Sequence, residues 1–223
     1  MSVPHSSEAK DRLLADLRAC GVCDERVLTA LSKVPRELFL PQELQERAYD
    51  DVALPIGQEQ TISQPTVVVH MVQLASPGAA DHVLEIGTGS GYGAAVLAQL
   101  ARDVVTVEIR PDLALAASRR LSALGCENVH VVIGDGSLGW PPLAPYDVIV
   151  TTAASPGIPP VLLEQLSRDG GRLVAPVGSL KRQQLVLAER QGADIRSQSF
   201  GGVRFVPLVG VGGFHSADPA RRN

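Results

Sequence analysis

From residue 78 onward the chain alternates short β-branched runs with helix-forming segments, and no other feature restricts its fold as much. Strands are predicted at 81–86, 103–108, 129–133, 146–151 and 171–175, with helices at 92–101, 111–124 and 159–166. A strand, a crossover helix and a second strand in one sheet form a right-handed unit, and such units build a parallel sheet covered on both faces. The expected class is therefore α/β, a doubly wound, mostly parallel, Rossmann-like sheet. Residues 183–189 and the stretch around 203–209 follow without long helices between them and are expected as antiparallel edge strands.

Ahead of this core, Leu13, Leu14 and Leu17, then Val27, Leu28 and Leu31, recur at helical spacing across 7–33. Gly21 breaks the pattern and Asp24 suits an N-cap, so two short helices are expected there. Residues 35–62 read as irregular, and a helix is expected from near Ser63 through the apolar run 65–75. At 223 residues, with 21 Gly and 16 Pro, the chain fits one globular domain. Within it, 1–77 would form an N-terminal helical, substrate-side region and 78–223 the core.

The formal net charge is −4 with no run of like charges, which lacks the basic footprint of non-specific nucleic-acid binding. Every apolar stretch is interrupted well short of the ~18 residues that a membrane span needs, and the first residues show no basic segment leading into an apolar one. Neither a nucleic-acid nor a membrane partner is expected. Three cysteines, an odd count, fit a reducing compartment, and the cytoplasm is the expected location. Cys20 and Cys23 have metal-ligand spacing, but no second pair exists and Cys126 is distant. His5, His70, His82, His130 and His215 show no ligand spacing either, so no metal is expected.

The strand ending at Ile86 runs into Gly87-Thr88-Gly89-Ser90-Gly91-Tyr92-Gly93. In a doubly wound sheet such a turn lies at the carboxyl edge, where its glycines let the backbone approach a ligand and the next helix offers free N–H groups. Both a nicotinamide dinucleotide and S-adenosylmethionine use such a turn, so the flanking residues decide. Glu85 would sit badly beside a pyrophosphate but suits the cationic methionyl end of S-adenosylmethionine. The GxGxxG spacing fails from Gly87, because position 92 is Tyr, and from Gly89 it ends in Ala94. Glu108 can accept from both ribose hydroxyls of either cofactor. Asp135, between Gly134 and Gly136, can accept from an adenine amino group while the glycines leave room for the ring. These residues favour methyl transfer from S-adenosylmethionine, leaving S-adenosyl-L-homocysteine, over hydride transfer. A module that only binds S-adenosylmethionine is the alternative from another class.

Val34-Pro-Arg-Glu-Leu-Phe39, Ala48-Tyr-Asp50 with Leu54-Pro-Ile-Gly57, Gln60-Thr-Ile-Ser-Gln-Pro65, Leu84-Glu-Ile-Gly-Thr-Gly-Ser-Gly-Tyr92, Gly134-Asp-Gly136 with Gly139-Trp140, Ala144-Pro145 with Asp147, and Val203-Arg-Phe-Val-Pro-Leu208 occur in this order. In them the chain resembles the protein-L-isoaspartate (D-aspartate) O-methyltransferase family over nearly its whole length. The glycine motif is common to many methyltransferases, whereas the segments 61–65 and 203–208 are particular to this family. The resemblance implies a class I methyltransferase fold and methyl esterification of the α-carboxylate of L-isoaspartyl, and D-aspartyl, residues in damaged proteins and peptides. The ester then closes to a succinimide, which begins repair. A monomer is expected. An aspartate methyltransferase acting on a dedicated biosynthetic peptide is the alternative within the same fold.

Matched to the family motif, Ser63 is the expected catalytic residue, donating a hydrogen bond to the acceptor carboxylate, although a serine at a helix start also caps it. By the same match Gln60, Thr61, Ile62 and Ile109 would border the cofactor. Ile56, Val203, Phe205 and Val206 would bind the substrate, the last segment by strand-like hydrogen bonds to the peptide. Thr66-Val-Val-Val69 departs from the family pattern, in which an aromatic or His often follows. A carboxylate acceptor with a pKa near ~4 is already ionised at neutral pH, so no general base is needed. With Glu85 also expected to be ionised, activity should be flat from about pH 6 to 8.

Overall fold

The structure is a computed structural model that describes residues 4–22 and 24–214, with side chains from residue 7. Cys23, His215 and the side chain of His5 fall outside the described residues. The chain opens with α1 (Pro4–Ala19) and α2 (Glu25–Lys33), the latter capped as expected by Asp24, whose carboxylate accepts the Arg26 N–H at 2.9 Å. Residues 35–62, expected to be irregular, hold 3-10 turns at Arg36–Phe39 and Gln42–Arg47 and then an antiparallel hairpin of β1 (Leu54–Gly57) and β2 (Gln60–Ile62). Gln58 and Glu59 make its turn with φ of 51° and 59°, the twist that two-residue hairpin turns require.

The next helix, α3 (Pro65–Ala75), starts two residues after Ser63, with Gln64 at the N-cap and no capping hydrogen bond from its side chain. Its first turn is instead satisfied from a distance. Asp51 accepts the Thr66 N–H at 2.9 Å through Oδ1, and the Thr66 hydroxyl at 2.6 Å and Gln64 Nε2 at 2.9 Å through Oδ2. Burial raises the Asp51 pKa, but these bonds and the nearby Arg36 charge outweigh it and hold the carboxyl below its usual range. The capping role considered for Ser63 thus belongs to Asp51.

The alternating region then folds as β3 (His82–Ile86), α4 (Tyr92–Ala98), β4 (Asp103–Glu108), α5 (Pro111–Ala123), β5 (Val129–Ile133), β6 (Val148–Thr151), α6 (Pro160–Glu164) and β7 (Asp169–Gly178). An antiparallel pair, β8 (Gln183–Gln191) and β9 (Asp194–Val203), completes a seven-stranded sheet in the order β5-β4-β3-β6-β7-β8-β9. The strands from β5 through β7 are parallel, and the antiparallel edge forms where it was expected. Its last strand, however, is 194–203 and not 203–209. Residues 206–208 run beside Ala154, whose N–H donates to the Val206 carbonyl at 2.8 Å and whose carbonyl accepts the Leu208 N–H at 2.6 Å.

Alternation along the strands sends side chains to two cores. Val83, Val104, Val148 and Val150 pack with α1 through α4, so the N-terminal region shares one core with the sheet. Leu84, Ile86, Val105, Val107 and Ile149 pack on the other face with Leu162 and Leu166 at α6. Burying a Leu or Val side chain contributes about 1.5–3 kcal/mol, so both faces weigh heavily in stability. Among the described residues no helix is long and apolar enough to cross a membrane.

Candidate active site

From β3 the chain winds outward through β4 and β5, then returns to lay β6 on the other side of β3. The strand order reverses there, and open α/β sheets bind ligands at the carboxyl ends of strands beside such a reversal. A cleft opens at that place, lined by Gln60, Thr61, Ile62, Ser63, Glu85, Gly87, Thr88, Gly89, Ser90, Glu108, Ile109, Gly136 and Val206 from the expected set. Gly91, Asp135, Ile56, Val203 and Phe205 are not in the lining. Thr152 and Arg110, which sequence reasoning missed, are.

Gly87 leaves β3 with φ of 94°, a conformation that costs a side-chain-bearing residue about 1–3 kcal/mol. The Thr152 hydroxyl locks it in place, donating to the Gly87 carbonyl at 2.6 Å and the Ile86 carbonyl at 3.1 Å. Glu108 closes the same turn from β4, accepting the Gly89 N–H at 2.8 Å and the Arg110 N–H at 3.0 Å. Each carboxylate oxygen has a second lone pair, so Glu108 can hold the turn and still accept from a ligand's hydroxyls.

Glu85 and Thr106 are cross-strand partners on β3 and β4. The Thr106 hydroxyl donates to Glu85 Oε2 at 2.6 Å and stands 2.7 Å from the Thr88 hydroxyl. Above them α4 presents Gly93, where a methyl group would overlap Glu85 Oε1. Burial pushes the Glu85 pKa up to about 8, with the Thr106 bond opposing and the Glu108 charge adding to the rise. The expectation of an ionised Glu85 at neutral pH is corrected accordingly, because desolvation exceeds what one hydroxyl returns.

Asp135 stands next to Gly136, which lines the cleft, and is not itself in the lining. Its Oδ1 accepts the Ser137 N–H at 2.9 Å and hydroxyl at 2.6 Å, and its Oδ2 accepts the Val211 N–H at 2.9 Å. The carboxylate expected for an adenine also ties down the chain's own 210–212 segment, and its Oδ2 keeps a further lone pair, as Glu108 does. Gly136 is the residue of that turn that reaches the cleft, and it packs so closely that an added Cβ would stand 2.6 Å from Ile86 Cγ2.

The opposite wall brings Ser63 and the strand before it to Val206, Pro207, Leu208 and Val209. Ser63 is partly buried, and its carbonyl accepts from Arg36 Nη2 at 2.7 Å. The Val206 carbonyl and Leu208 N–H are taken by Ala154. Phe205 is held by the buried Gln183 side chain, which accepts its N–H at 2.7 Å and donates to its carbonyl at 3.2 Å. These bonds occupy the N–H groups of Phe205 and Leu208, while the carbonyls of Phe205 and Val206 each keep a second lone pair, and residues 206–209 face the cleft as an apolar segment. Ile56 reaches the glycine turn from β1, its Cδ1 standing 3.5 Å from where a Gly89 Cβ would be. Among the described residues no cluster of His, Cys, Asp and Glu could hold a metal ion.

Comparison with known proteins assigns this arrangement. The model of the protein-L-isoaspartate(D-aspartate) O-methyltransferase family matches residues 8–212. The chain belongs to that family. It is 49% identical to a protein-L-isoaspartate O-methyltransferase of Methanoregula boonei, over 97% of this chain and 100% of that one. A Protochlamydia amoebophila enzyme of the same name is 52% identical over 90% of this chain and 96% of its own. A solved protein-L-isoaspartate O-methyltransferase superposes with a TM-score of 0.81 at 32% identity, covering 92% of this chain and 67% of that one. A Plasmodium falciparum structure in complex with S-adenosyl-L-homocysteine superposes with a TM-score of 0.76, covering 89% and 97%; at 20% identity it shows the fold alone. The glycine turn, Glu85 and Glu108 line the same cleft as Ser63.

Proposed function

We propose that this cleft transfers a methyl group from S-adenosylmethionine to the α-carboxylate of L-isoaspartyl, and D-aspartyl, residues in damaged proteins and peptides, which opens repair through a succinimide. The observation that carries the reading is the presence of Ser63 in the same cleft as the glycine turn, Glu85 and Glu108. Bound in this cleft, S-adenosylmethionine would supply an electrophilic methyl group for a carboxylate oxygen, with the bonding electron pair retained by its sulfur. Glu108 accepts the ribose hydroxyls while holding the Gly89 turn, and Glu85 faces the cationic methionyl end. Gln60, Thr61, Ile62, Ile109 and Gly136 border the cofactor. Ser63 donates its hydroxyl proton in a hydrogen bond to the acceptor carboxylate, fixing one oxygen in line with the methyl.

No side chain has to remove a proton, because the acceptor is already an anion. The chain contributes alignment and exclusion of water, and well-aligned reactants can gain ~7–11 kcal/mol over free ones. Val206 and its neighbours supply the apolar wall that desolvates the pair. Residues 1–77 and 78–223 act as one unit, a reading supported by their common core. The net charge of −4 supports a protein or peptide partner over a nucleic acid.

The test uses labelled S-adenosylmethionine with matched peptides that differ only in aspartate or isoaspartate. Label is expected on the isoaspartyl peptide alone. Label on neither peptide, from a protein that binds S-adenosyl-L-homocysteine, would sink the reading.

A further inference from the structure

Arg36 is fully buried in the 3-10 turn Arg36–Phe39. Its Nε donates to the Ala48 carbonyl at 2.8 Å and its Nη2 to the Ser63 carbonyl at 2.7 Å. The guanidinium carbon stands 4.9 Å from the centre of the Tyr92 ring, on its face. Nη1 makes no hydrogen bond of good geometry among the described residues, although the Tyr92 side chain supports the guanidinium as a hydrogen-bonding partner, and no carboxylate there forms an ion pair with this group. Burial lowers the Arg36 pKa against the opposing influence of Tyr92, Tyr49 and Asp51, yet a guanidinium stays charged throughout the physiological range.

A buried cation without a carboxylate is costly, and an apolar side chain of similar volume would avoid that cost. Two of the three groups it touches, Ser63 and Tyr92, line the cleft. They come from different walls: Ser63 follows β2, and Tyr92 opens α4 after the glycine turn. We infer that Arg36 is a positioning residue for the methyl acceptor. It fixes Ser63 against Tyr92 through the Ser63 carbonyl and sets a permanent positive charge directly behind the wall that receives the acceptor carboxylate.

Fixing the Ser63 backbone fixes where its hydroxyl points, and methyl transfer is sensitive to small misplacements of the acceptor. The cation acts on the incoming anion across a poorly solvated layer, where attraction is stronger than in water. A staple that only joined three segments would alter the amount of folded protein and leave the Michaelis constant of the remainder unchanged. The inference rests on the acceptor role of Ser63 given above.

The test compares Arg36→Lys, which keeps the charge and loses the fork, with Arg36→Met, which loses both, in the full chain. Competent sites are counted by S-adenosyl-L-homocysteine calorimetry. Per competent site, KM for an isoaspartyl peptide should rise about tenfold in Arg36→Lys and further in Arg36→Met, with kcat lowered and the S-adenosyl-L-homocysteine Kd within about threefold of the parent. Parental KM and kcat in both variants would overturn the inference. Where Arg36→Met yields no folded protein, Arg36→Lys decides by the same KM. Ser63→Ala is run alongside. If it is impaired while the Arg36 variants are not, the Arg36 inference alone fails; if it retains full turnover, the Ser63 reading fails and takes the inference with it.

Discussion

The two walls of the cleft are built in different ways. The cofactor wall is a product of the sheet: adjacent strands β3, β4 and β6 end together, and the turn beyond β3 is pinned by Glu108 and Thr152 from those same strand ends. The wall that carries Ser63 belongs to segments outside the parallel strands, residues 60–63 and 206–209, and side chains or backbone from elsewhere hold it in place. Arg36 grips the Ser63 carbonyl, Asp51 caps the helix that follows, and Gln183 takes both backbone groups of Phe205. A wall made from sheet edges comes with the fold and can serve any methyl acceptor. On the proposed reading a wall held by a few polar side chains sets acceptor choice, so damage to the two walls should separate into cofactor affinity and turnover.

The largest expected effect lies on the cofactor side. Glu108→Ala removes the partner of two backbone N–H groups and the ribose acceptor, and a charged acceptor bond is worth about 1.5–3 kcal/mol, or roughly 10- to 150-fold in Kd for S-adenosyl-L-homocysteine. Calorimetry giving an unchanged Kd in folded protein would take Glu108 out of the site. On the acceptor side, Ser63→Ala should lower turnover on isoaspartyl peptide by about 10- to 100-fold with product affinity nearly intact. Initial rates and calorimetry on one preparation decide it, and a joint fall of both quantities would erase the distinction between the walls.

Glu85 provides a pH test of the cofactor wall. Its folded pKa of about 8 lies above the ordinary 4.5, so near neutrality it is protonated, and a cationic ligand beside it favours the ionised form. Affinity for S-adenosylmethionine should therefore rise with pH, by at most about tenfold per unit, and level off above pH 8, with a proton released on binding. Calorimetry in buffers of differing ionisation enthalpy measures that proton, and Glu85→Gln should abolish its release. The same shift makes the unliganded protein lose stability as pH rises from about 4.5 to about 8, because the folded state holds the extra proton. The smallest effect concerns Asp51. Asp51→Ala should cost about 0.5–2 kcal/mol in urea unfolding while turnover per folded molecule stays within about threefold, the reverse of the Ser63→Ala pattern.

The parallel core was legible because strands buried on both faces read as near-continuous β-branched runs, such as Val104 to Val107 and Val148 to Val150. The C-terminal edge was misread for the complementary reason. Residues 194–203 are exposed along most of their length and carry Gly201 and Gly202, so they show no apolar alternation, whereas the apolar 206–209 lines the cleft. The hairpin 54–62 has strands of four and three residues, one interrupted by Pro55, too short for any period to emerge. Glycines and acids marked the cofactor wall by type and spacing. The environments of Glu85 and Asp135 were invisible, since burial and the approach of residue 211 arise only on folding. Arg36, the lone cation of the 34–39 motif, was the available sign of what supports the wall that carries Ser63.

The contact of Gly93 with Glu85 carries a meaning for how this protein can change. A glycine inside a helix forgoes about 1 kcal/mol relative to alanine, and here a methyl group fits only if the buried Glu85 carboxyl shifts. The two positions are thus bound to vary together. Alanine at 93 should harm the parent chain, yet in an Glu85→Ala background it should raise the melting temperature while leaving a protein that binds S-adenosylmethionine poorly. Any lineage or selection scheme that rewards heat resistance alone would drift toward that pair, and would leave the fold intact as it lost the cofactor.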